Sequence, residues 1–263
     1  MKSGADKIRD YALVAYCALV ALFILLPIAS SFVFSLNSER FPSLPLGEFD
    51  LRWYRESLSD PKDLSALLRT ILIGAVAATL STGIGFASAY VDFRYRFRGK
   101  TGFLILILLP PTVPLLILGL GFLAYFSRLG ISGTTGAVML AHTVICIPFG
   151  MAMSRLRLSQ MDKNLEAAAW NLGASEWAAM RHVIFPFVRP ALIASFLITM
   201  ALSFDEYAVA WFVSGVNETL PVRVLNLLAG PVNPKINVIG TATFSVTIAM
   251  VVIAQILMTR RGK

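Results

Sequence analysis

Charged residues are scarce in this chain, and their scarcity decides its class. Asp, Glu, Lys and Arg make up 14% of the 263 residues, while 57% are hydrophobic. A soluble globular domain carries about 25% charged residues, so this composition excludes an ordinary soluble protein. The two cysteines, Cys17 and Cys146, fall in apolar runs without metal-ligand spacing, and we expect them to be inert packing residues.

Motifs for catalysis, metal binding and nucleotide binding are also missing. The sequence has no Ser-His-Asp order, zinc-ligand spacing or paired helical carboxylates, so we expect no catalytic residue, no metal site and no enzyme activity. Gly99-Lys100-Thr101 is like the end of a phosphate-binding loop, but Arg94 stands where that motif requires a glycine. We therefore expect this chain to bind no cofactor.

The sequence has instead six long apolar runs, each long enough for the roughly 20 residues of a spanning helix. Lipid offers the backbone no hydrogen-bond partner, and the alternating ten-residue strands of a membrane barrel are absent. We predict an all-α integral membrane protein with one transmembrane domain over 1–263. Its six spans should lie at about 12–36, 68–91, 102–126, 135–155, 188–213 and 237–259. The first run is longer than the 7–15 apolar residues of a secretory signal, so we expect it to remain as a span.

Two of these runs have a distinctive composition. The second is dense in Gly, Ala, Ser and Thr, which let transmembrane backbones approach closely, so it should be an inner, packed helix. The third contains Pro110, Pro111 and Pro114, which must kink or break it. Such a break suits a gate hinge or a packing device, and both interpretations stay open.

The basic residues predict the orientation, because Lys and Arg favour cytoplasmic loops. With the N-terminus inside, fifteen of them lie in cytoplasmic segments: Lys2, Lys7, Arg9, Arg94, Arg96, Arg98, Lys100, Arg155, Arg157, Lys163, Arg181, Arg189, Arg260, Arg261 and Lys263. Seven lie outside, namely Arg40, Arg52, Arg55, Lys62, Arg128, Arg223 and Lys235, with Arg69 left uncounted at a helix mouth. We predict both termini to be cytoplasmic. This topology and anionic lipid explain the net charge of +8, so no nucleic-acid partner is expected.

The polar segment 37–68 should lie outside the membrane, with Trp53 and Tyr54 in an amphipathic helix. It is either an interfacial helix anchored by these aromatic rings or a contact for an external partner.

A second polar insert, 162–186, reads as an elbow of two short helices. Asp162 or Asn164 can cap a helix that runs to Leu172, and Gly173 can supply the left-handed residue that ends it. Ser175 can then cap a second helix that ends before Pro186. Small apolar stripes on the two helices, Leu165, Ala168, Ala169 and Leu172 on the first and Trp177, Ala178 and Met180 on the second, suit a groove on a partner protein.

This elbow resembles the cytoplasmic loop by which ABC-importer permeases contact their ATPase subunits. The family pattern is Glu-Ala-Ala, three residues, Gly, nine residues, then Ile-x-Leu-Pro. Gly173 and Pro186 keep that spacing, while Ala167 occupies the position of the motif glutamate and Glu166 lies one residue before it. The resemblance implies an ATPase-coupling role for Glu166, Ala167, Ala168, Leu172, Gly173, Ala174, Trp177 and Pro186.

The wider chain resembles the permeases of polyamine-type importers, in particular the second permease subunit of spermidine/putrescine systems. The similar segments include AHTVICIPF at 141–149, SFDEYAVAWFVSG at 203–215 and LPVRVLNLL at 220–228. The resemblance implies a type I ABC importer permease in the bacterial cytoplasmic membrane. It also implies a second homologous permease subunit as hetero-dimer partner, two cytoplasmic ATP-binding subunits that carry ATP and Mg, and an external or periplasmic solute-binding protein.

Asp205 and Glu206 interrupt the fifth apolar run and favour a cationic substrate. With about 1.5 Å of rise per residue from Pro190, Asp205 would lie ~23 Å along its span, at a depth where a charge needs water or a partner. Phe204, Tyr207 and Trp211 flank the pair and offer aromatic faces to an ammonium group. A structural salt bridge of Asp205, with Arg223 or with the partner permease, is the open alternative.

The remaining alternatives concern the histidines and the substrate. His142 is either a neutral residue bonded across helices or a pathway residue, and His182 is expected at a surface or interface. Permeases for ferric iron, thiamine and phosphonates share much of the pattern. A secondary transporter, or a membrane enzyme or assembly factor that uses the elbow only for docking, are the competing functional classes.

Overall fold

The structure, a computed structural model, describes residues 4–41, 45–162 and 164–259. Within these ranges the helices are α1 Gly4–Ser35, α2 Arg52–Ser59, α3 Pro61–Arg94, α4 Lys100–Leu108, α5 Leu115–Arg128, α6 Thr135–Leu158, α7 Asn164–Asn171, α8 Glu176–Ala179, α9 Phe185–Asp205, α10 Ala208–Val213, α11 Leu220–Leu228 and α12 Lys235–Thr259. The same ranges contain no named β-strand, and one isolated antiparallel bridge joins Asn37 to Phe49. The all-α prediction is confirmed.

Five helices of the described chain are long and apolar enough to cross a membrane. They are Arg9–Ser35, Pro61–Arg94, Thr135–Leu158, Glu176–Asp205 and Lys235–Thr259. The membrane-protein class is therefore confirmed. The number of six spans and the cytoplasmic position of the termini stay predictions.

The third predicted span, 102–126, is two helices rather than one. α4 ends at Leu108, a 3₁₀ turn follows at Pro110–Thr112, and α5 begins at Leu115. Prolines have no backbone N–H, so the helical hydrogen bonds cannot continue through this segment. The N–H of Val113 donates instead to the carbonyl of Pro110 at 3.3 Å. The break that the prolines predict is confirmed.

The fifth predicted span, 188–213, is wrong at both ends. The long helix begins earlier, at Glu176, and stops at Asp205, and α10 is a separate helix. At the first end, a π-helical turn over Met180–Ile184 carries the helix past Pro186. At the second end, the backbone of Glu206 is extended, with φ −75° and ψ 118°.

The described chain divides into two compact units, and the larger comprises Lys62–Leu225 and Thr243–Lys263. The small residues of α3 are buried there, including Ala77, Ala78, Ser81, Gly85, Ser88 and Ala89, which confirms its prediction as an inner helix. A Cβ atom on Gly85 would lie 2.5 Å from the backbone of Gly150 on α6, and one on Gly150 would lie 2.5 Å from the carbonyl oxygen of Ser81. Glycine at both positions therefore lets the two backbones touch.

The core of this larger unit includes two large apolar clusters. One is built around Ile73, Phe126, Val138, Val209 and Val213 and joins α3, α5, α6 and α10. The other is built around Ala89, Met151, Leu158, Ile184 and Val188, next to the elbow.

The smaller unit comprises Met1–Pro61 and Asn226–Ala242. The indole N–H of Trp53 donates to the carbonyl of Asn37 at 3.0 Å, and the hydroxyls of Tyr54 and Ser35 are 2.8 Å apart. The aromatic residues of α2 therefore fasten the polar segment to the end of α1. Lys235, buried at the start of α12, makes a 2.9 Å ion pair with Asp60.

Candidate functional site

The elbow has the backbone that its sequence predicts. The carboxylate of Asp162 accepts the N–H of Asn164 at 2.9 Å, where α7 begins. Gly173 follows the helix with φ +82°, a left-handed conformation that glycine adopts without a steric penalty. The hydroxyl of Ser175 then accepts the N–H of Ala178 at 3.2 Å and caps α8.

The second half of the elbow is continuous with a spanning helix, so the prediction that it ends before Pro186 is wrong. The N–H of Phe185 donates to the carbonyl of Met180, five residues earlier. Such a wide turn also leaves space for the ring of Pro186, which has no N–H to donate. The helix that begins at α8 therefore runs without a break into α9.

The predicted coupling residues divide between an exposed face and a buried contact. Leu172 is 89% exposed and Trp177 is 69% exposed. Ala167, Ala168, Gly173 and Pro186 are also exposed, and Ala174 is partly buried. These residues leave an apolar surface around Gly173 that the described chain does not cover.

Glu166 is the exception, because it faces the protein interior. The hydroxyl of Tyr90 donates to the Glu166 carboxylate at 3.0 Å, and the Nε atom of Arg94 lies 3.4 Å from it. The guanidinium of Arg94 also stacks over the ring of Trp170, 4.4 Å from its centroid. These contacts fasten α7 to the end of α3, and a cavity of about 370 Å³ lies between α7 and the turn at Arg94–Lys100.

The acidic pair lies at the break between α9 and α10. The two carboxylate oxygens of Glu206 accept the N–H groups of Val209 at 2.8 Å and Ala210 at 3.0 Å. Glu206 therefore caps α10, and its side chain is only 8% exposed. The Nε2 atom of His142 lies 3.2 Å from the same carboxylate.

The five predicted pathway residues do not share one surface. Asp205, Tyr207 and Trp211 are exposed, whereas Phe204 and the Glu206 side chain are buried. The hydroxyl of Thr247 donates to Asp205 at 3.2 Å. Phe204 packs in an apolar cluster and Glu206 caps a helix, so both side chains are buried in this structure, and the pathway role of the five residues stays a prediction.

In the part of the chain that the structure describes, Arg223 pairs with a carboxylate other than Asp205, so the proposed Asp205–Arg223 salt bridge is not formed there. The Nε atom of Arg223 lies 2.9 Å from the carboxylate of Asp63 near the start of α3. Close by, the backbone N–H of Leu220 donates a 2.7 Å hydrogen bond to the hydroxyl of Thr70. Arg223 therefore helps to hold α11 to α3.

Sequence reasoning missed the contact partners of the Glu166 and Glu206 carboxylates. Tyr90 is 76 positions from Glu166, and His142 lies on another helix more than sixty positions before Glu206. No local periodicity links residues so far apart in the chain. The expectation of His142 bonded across helices agrees with its contacts to Ser203 and Glu206.

Solved structures identify the class of this fold. The whole chain superposes on 99% of a subunit in the crystal structure of a bacterial ABC transporter involved in the import of the acidic polysaccharide alginate, with a TM-score of 0.72 and 20% identity. A subunit of an amino acid ABC transporter superposes over 81% of this chain and 99% of its own length, with a TM-score of 0.60 and 17% identity. The fold is that of an ABC importer permease.

The chain belongs to the family described as binding-protein-dependent transport system inner membrane component, which matches residues 71–260. It is 32% identical to the spermidine/putrescine transport system permease protein PotC of Haemophilus influenzae, over 94% of this chain and 96% of that protein. It is 33% identical to the putrescine transport system permease protein PotI of Escherichia coli, over 92% of this chain and 88% of that protein. The resemblance to ABC importer permeases is confirmed.

Proposed function

We propose that this permease carries a small organic cation, a polyamine such as spermidine or putrescine, across the bacterial cytoplasmic membrane. The observation that carries the proposal is the exposed carboxylate of Asp205, in a segment that also exposes the rings of Tyr207 and Trp211. A carboxylate and aromatic faces are the groups that recognise an ammonium ion. Similar permeases named for spermidine and putrescine support the same substrate class.

The depth of Asp205 supports a solvated environment. A charge within the membrane costs about 2.5–3.5 kcal/mol on insertion scales, so it is expected to face a water-filled cavity or another subunit. The described contact of Asp205 is the hydroxyl of Thr247, which does not neutralise the carboxylate. An alternating pathway between two permease subunits would supply both water and a cation.

The exposed surface of the elbow supports an ATP-driven mechanism. Leu172 and Trp177 project from either side of Gly173, as a surface that inserts into a partner groove would require. Two ATP-binding subunits would carry ATP and Mg and would push on this surface when they close. The push would pass through α8 to α9, which ends at Asp205.

The remaining partners follow from the same architecture. A second, homologous permease would pack against this one, and α1 exposes its apolar residues along its length to such a partner or to lipid. An external solute-binding protein would deliver the polyamine. No ATP hydrolysis is assigned to this chain.

Reconstitution of the complete complex in lipid vesicles tests the proposal. We expect uptake of labelled spermidine or putrescine that requires both ATP and the binding protein, while thiamine, ferric iron and phosphonates are not transported. Uptake without ATP would instead support a secondary transporter. A complex that transports none of these solutes would contradict the proposal and favour a membrane enzyme or assembly factor that uses the elbow only for docking.

A further inference from the structure

A buried histidine lies at the break that separates α9 from α10. We propose that His142 is a positioning residue for transport: through Glu206 it holds this break open and thereby turns Asp205 out of the helix bundle. The inference rests on the proposed function only where Asp205 is taken as a pathway residue. We call the contacts of His142 and Glu206, which join α6, α9 and α10, the clamp, and these contacts do not depend on the proposed function.

Both oxygens of the Glu206 carboxylate are engaged within the protein. They accept the N–H groups of Val209 and Ala210, in the first turn of α10. Nothing in the backbone alone would stop α9 from continuing through Tyr207, because residues 205–208 contain no proline or glycine. The capping carboxylate therefore stabilises the break.

His142 holds that carboxylate from a neighbouring helix. Its Nε2 atom lies 3.2 Å from Glu206, and its Nδ1 atom lies 2.7 Å from the hydroxyl of Ser203. The side chain is 1% exposed, so the ring is buried with a polar neighbour at each nitrogen. The Nε2 contact lacks the alignment of a hydrogen bond and is therefore mainly electrostatic.

The contacts also indicate where the proton of the ring lies. A proton on Nε2 faces the negative carboxylate, whereas a bare Nε2 lone pair would repel it. In the neutral ring, Nδ1 then accepts the hydroxyl proton of Ser203. Ser203, His142 and Glu206 thus form one chain of polar contacts that ends on α10.

The clamp separates the roles of the two neighbouring acids. The extended backbone at Glu206 sends its side chain into the protein, while Asp205 remains exposed. Tyr207, just before α10, and Trp211, within it, are both exposed four positions apart in sequence. Loss of the clamp should let α10 rotate relative to α9, and Asp205, Tyr207 and Trp211 would then change their orientation relative to one another.

A double-mutant cycle on the reconstituted complex tests this inference. We expect His142→Leu and Glu206→Leu each to lower the maximal transport rate about 10-fold, the size expected when a buried polar group loses its partner. The double variant should be no slower than Glu206→Leu alone, because Glu206→Leu already removes the contact that His142→Leu removes, together with the cap of α10. The KM for the loaded binding protein should not change, and His142→Gln, which keeps a donor, should restore part of the rate.

Hydrogen exchange supplies a readout that is independent of transport. In His142→Leu we expect faster exchange of the Val209 and Ala210 amides, while exchange at the far end of α9 stays the same. Ser195→Ala is the control, because it removes a buried hydroxyl of α9, 3.2 Å from the hydroxyl of Thr82, without touching the contacts of His142. That control should leave exchange in α10 unchanged.

The two failures are distinguishable. Unchanged exchange in α10, or independent effects of His142→Leu and Glu206→Leu on rate, would overturn the positioning role. Normal polyamine transport by Asp205→Asn would overturn the proposed pathway instead. Hydrogen exchange in α10 would then still test the positioning role of His142.

Discussion

The hydroxyl of Tyr90 on α3 donates a 3.0 Å hydrogen bond to Glu166 on α7. Glu166 lies one residue before the position that the ABC-importer pattern gives to glutamate. It is buried, whereas the coupling residues Leu172 and Trp177 are exposed. Its carboxylate fastens the elbow to a spanning helix. The elbow is thus joined to the membrane region at both ends, through α3 and through α9.

The Glu166 contact predicts a loss of coupling when it is removed. A hydrogen bond to a charged group contributes about 1.5–3 kcal/mol, and Glu166→Ala removes the bond to Tyr90 as well as the Arg94 contact. We expect intact assembly with ligand-stimulated ATP hydrolysis reduced about 10-fold. Glu166→Gln keeps an acceptor and should be milder. Equal, normal activity in both variants would contradict this role.

A substitution at Gly173 tests the left-handed backbone conformation without a steric clash of the new side chain. A Cβ atom at this position would meet nothing within 4 Å, so a substitution is strained only by the φ of +82°. Gly173→Val should uncouple ATP hydrolysis from transport while membrane insertion is retained, because a left-handed conformation costs about 1–2 kcal/mol for ordinary residues. Gly173→Asn is the control, since asparagine tolerates this conformation better. Unchanged assembly and transport in Gly173→Val would remove the requirement.

The contact between Gly85 and Gly150 predicts a stability difference between two glycines of α3. Gly85→Ala places a Cβ atom 2.5 Å from the backbone of α6, whereas a Cβ at Gly83 meets nothing within 4 Å. We expect Gly85→Ala to destabilise the protein by about 1–3 kcal/mol, the usual cost of overpacking. Gly83→Ala should be neutral or stabilising. Thermal unfolding in detergent compares the two, and equal midpoints would contradict the close packing.

The distribution of basic residues predicts the sidedness of the chain. With Cys17 and Cys146 replaced, a cysteine at the exposed Ser175 should resist an impermeant thiol reagent in intact cells. A cysteine at Val216, which is 89% exposed, should react. Ser43 would be a second external position, but it lies outside the described residues. The opposite labelling pattern would invert the topology.

Local signals were sufficient for the elbow and for the broken helix. Ser175, Gly173 and the three prolines act on the backbone within a few residues, so their effects are readable from the sequence. The roles of Glu166 and Glu206 were not readable, because each depends on a partner more than sixty positions away. The helix through Pro186 was missed for another reason. Proline normally marks the start or end of a helix, but here a π-helical turn precedes it and the helix continues.

Uptake of labelled polyamine by vesicles that contain the Asp205 variants tests the central claim most directly. Asp205→Asn should lower ATP-dependent uptake at least about 10-fold, because the carboxylate that compensates the ammonium charge is lost, and Asp205→Glu should retain most of the rate. The ligand affinity of the binding protein should stay the same in both cases. Normal uptake by Asp205→Asn would contradict a polyamine pathway at this residue.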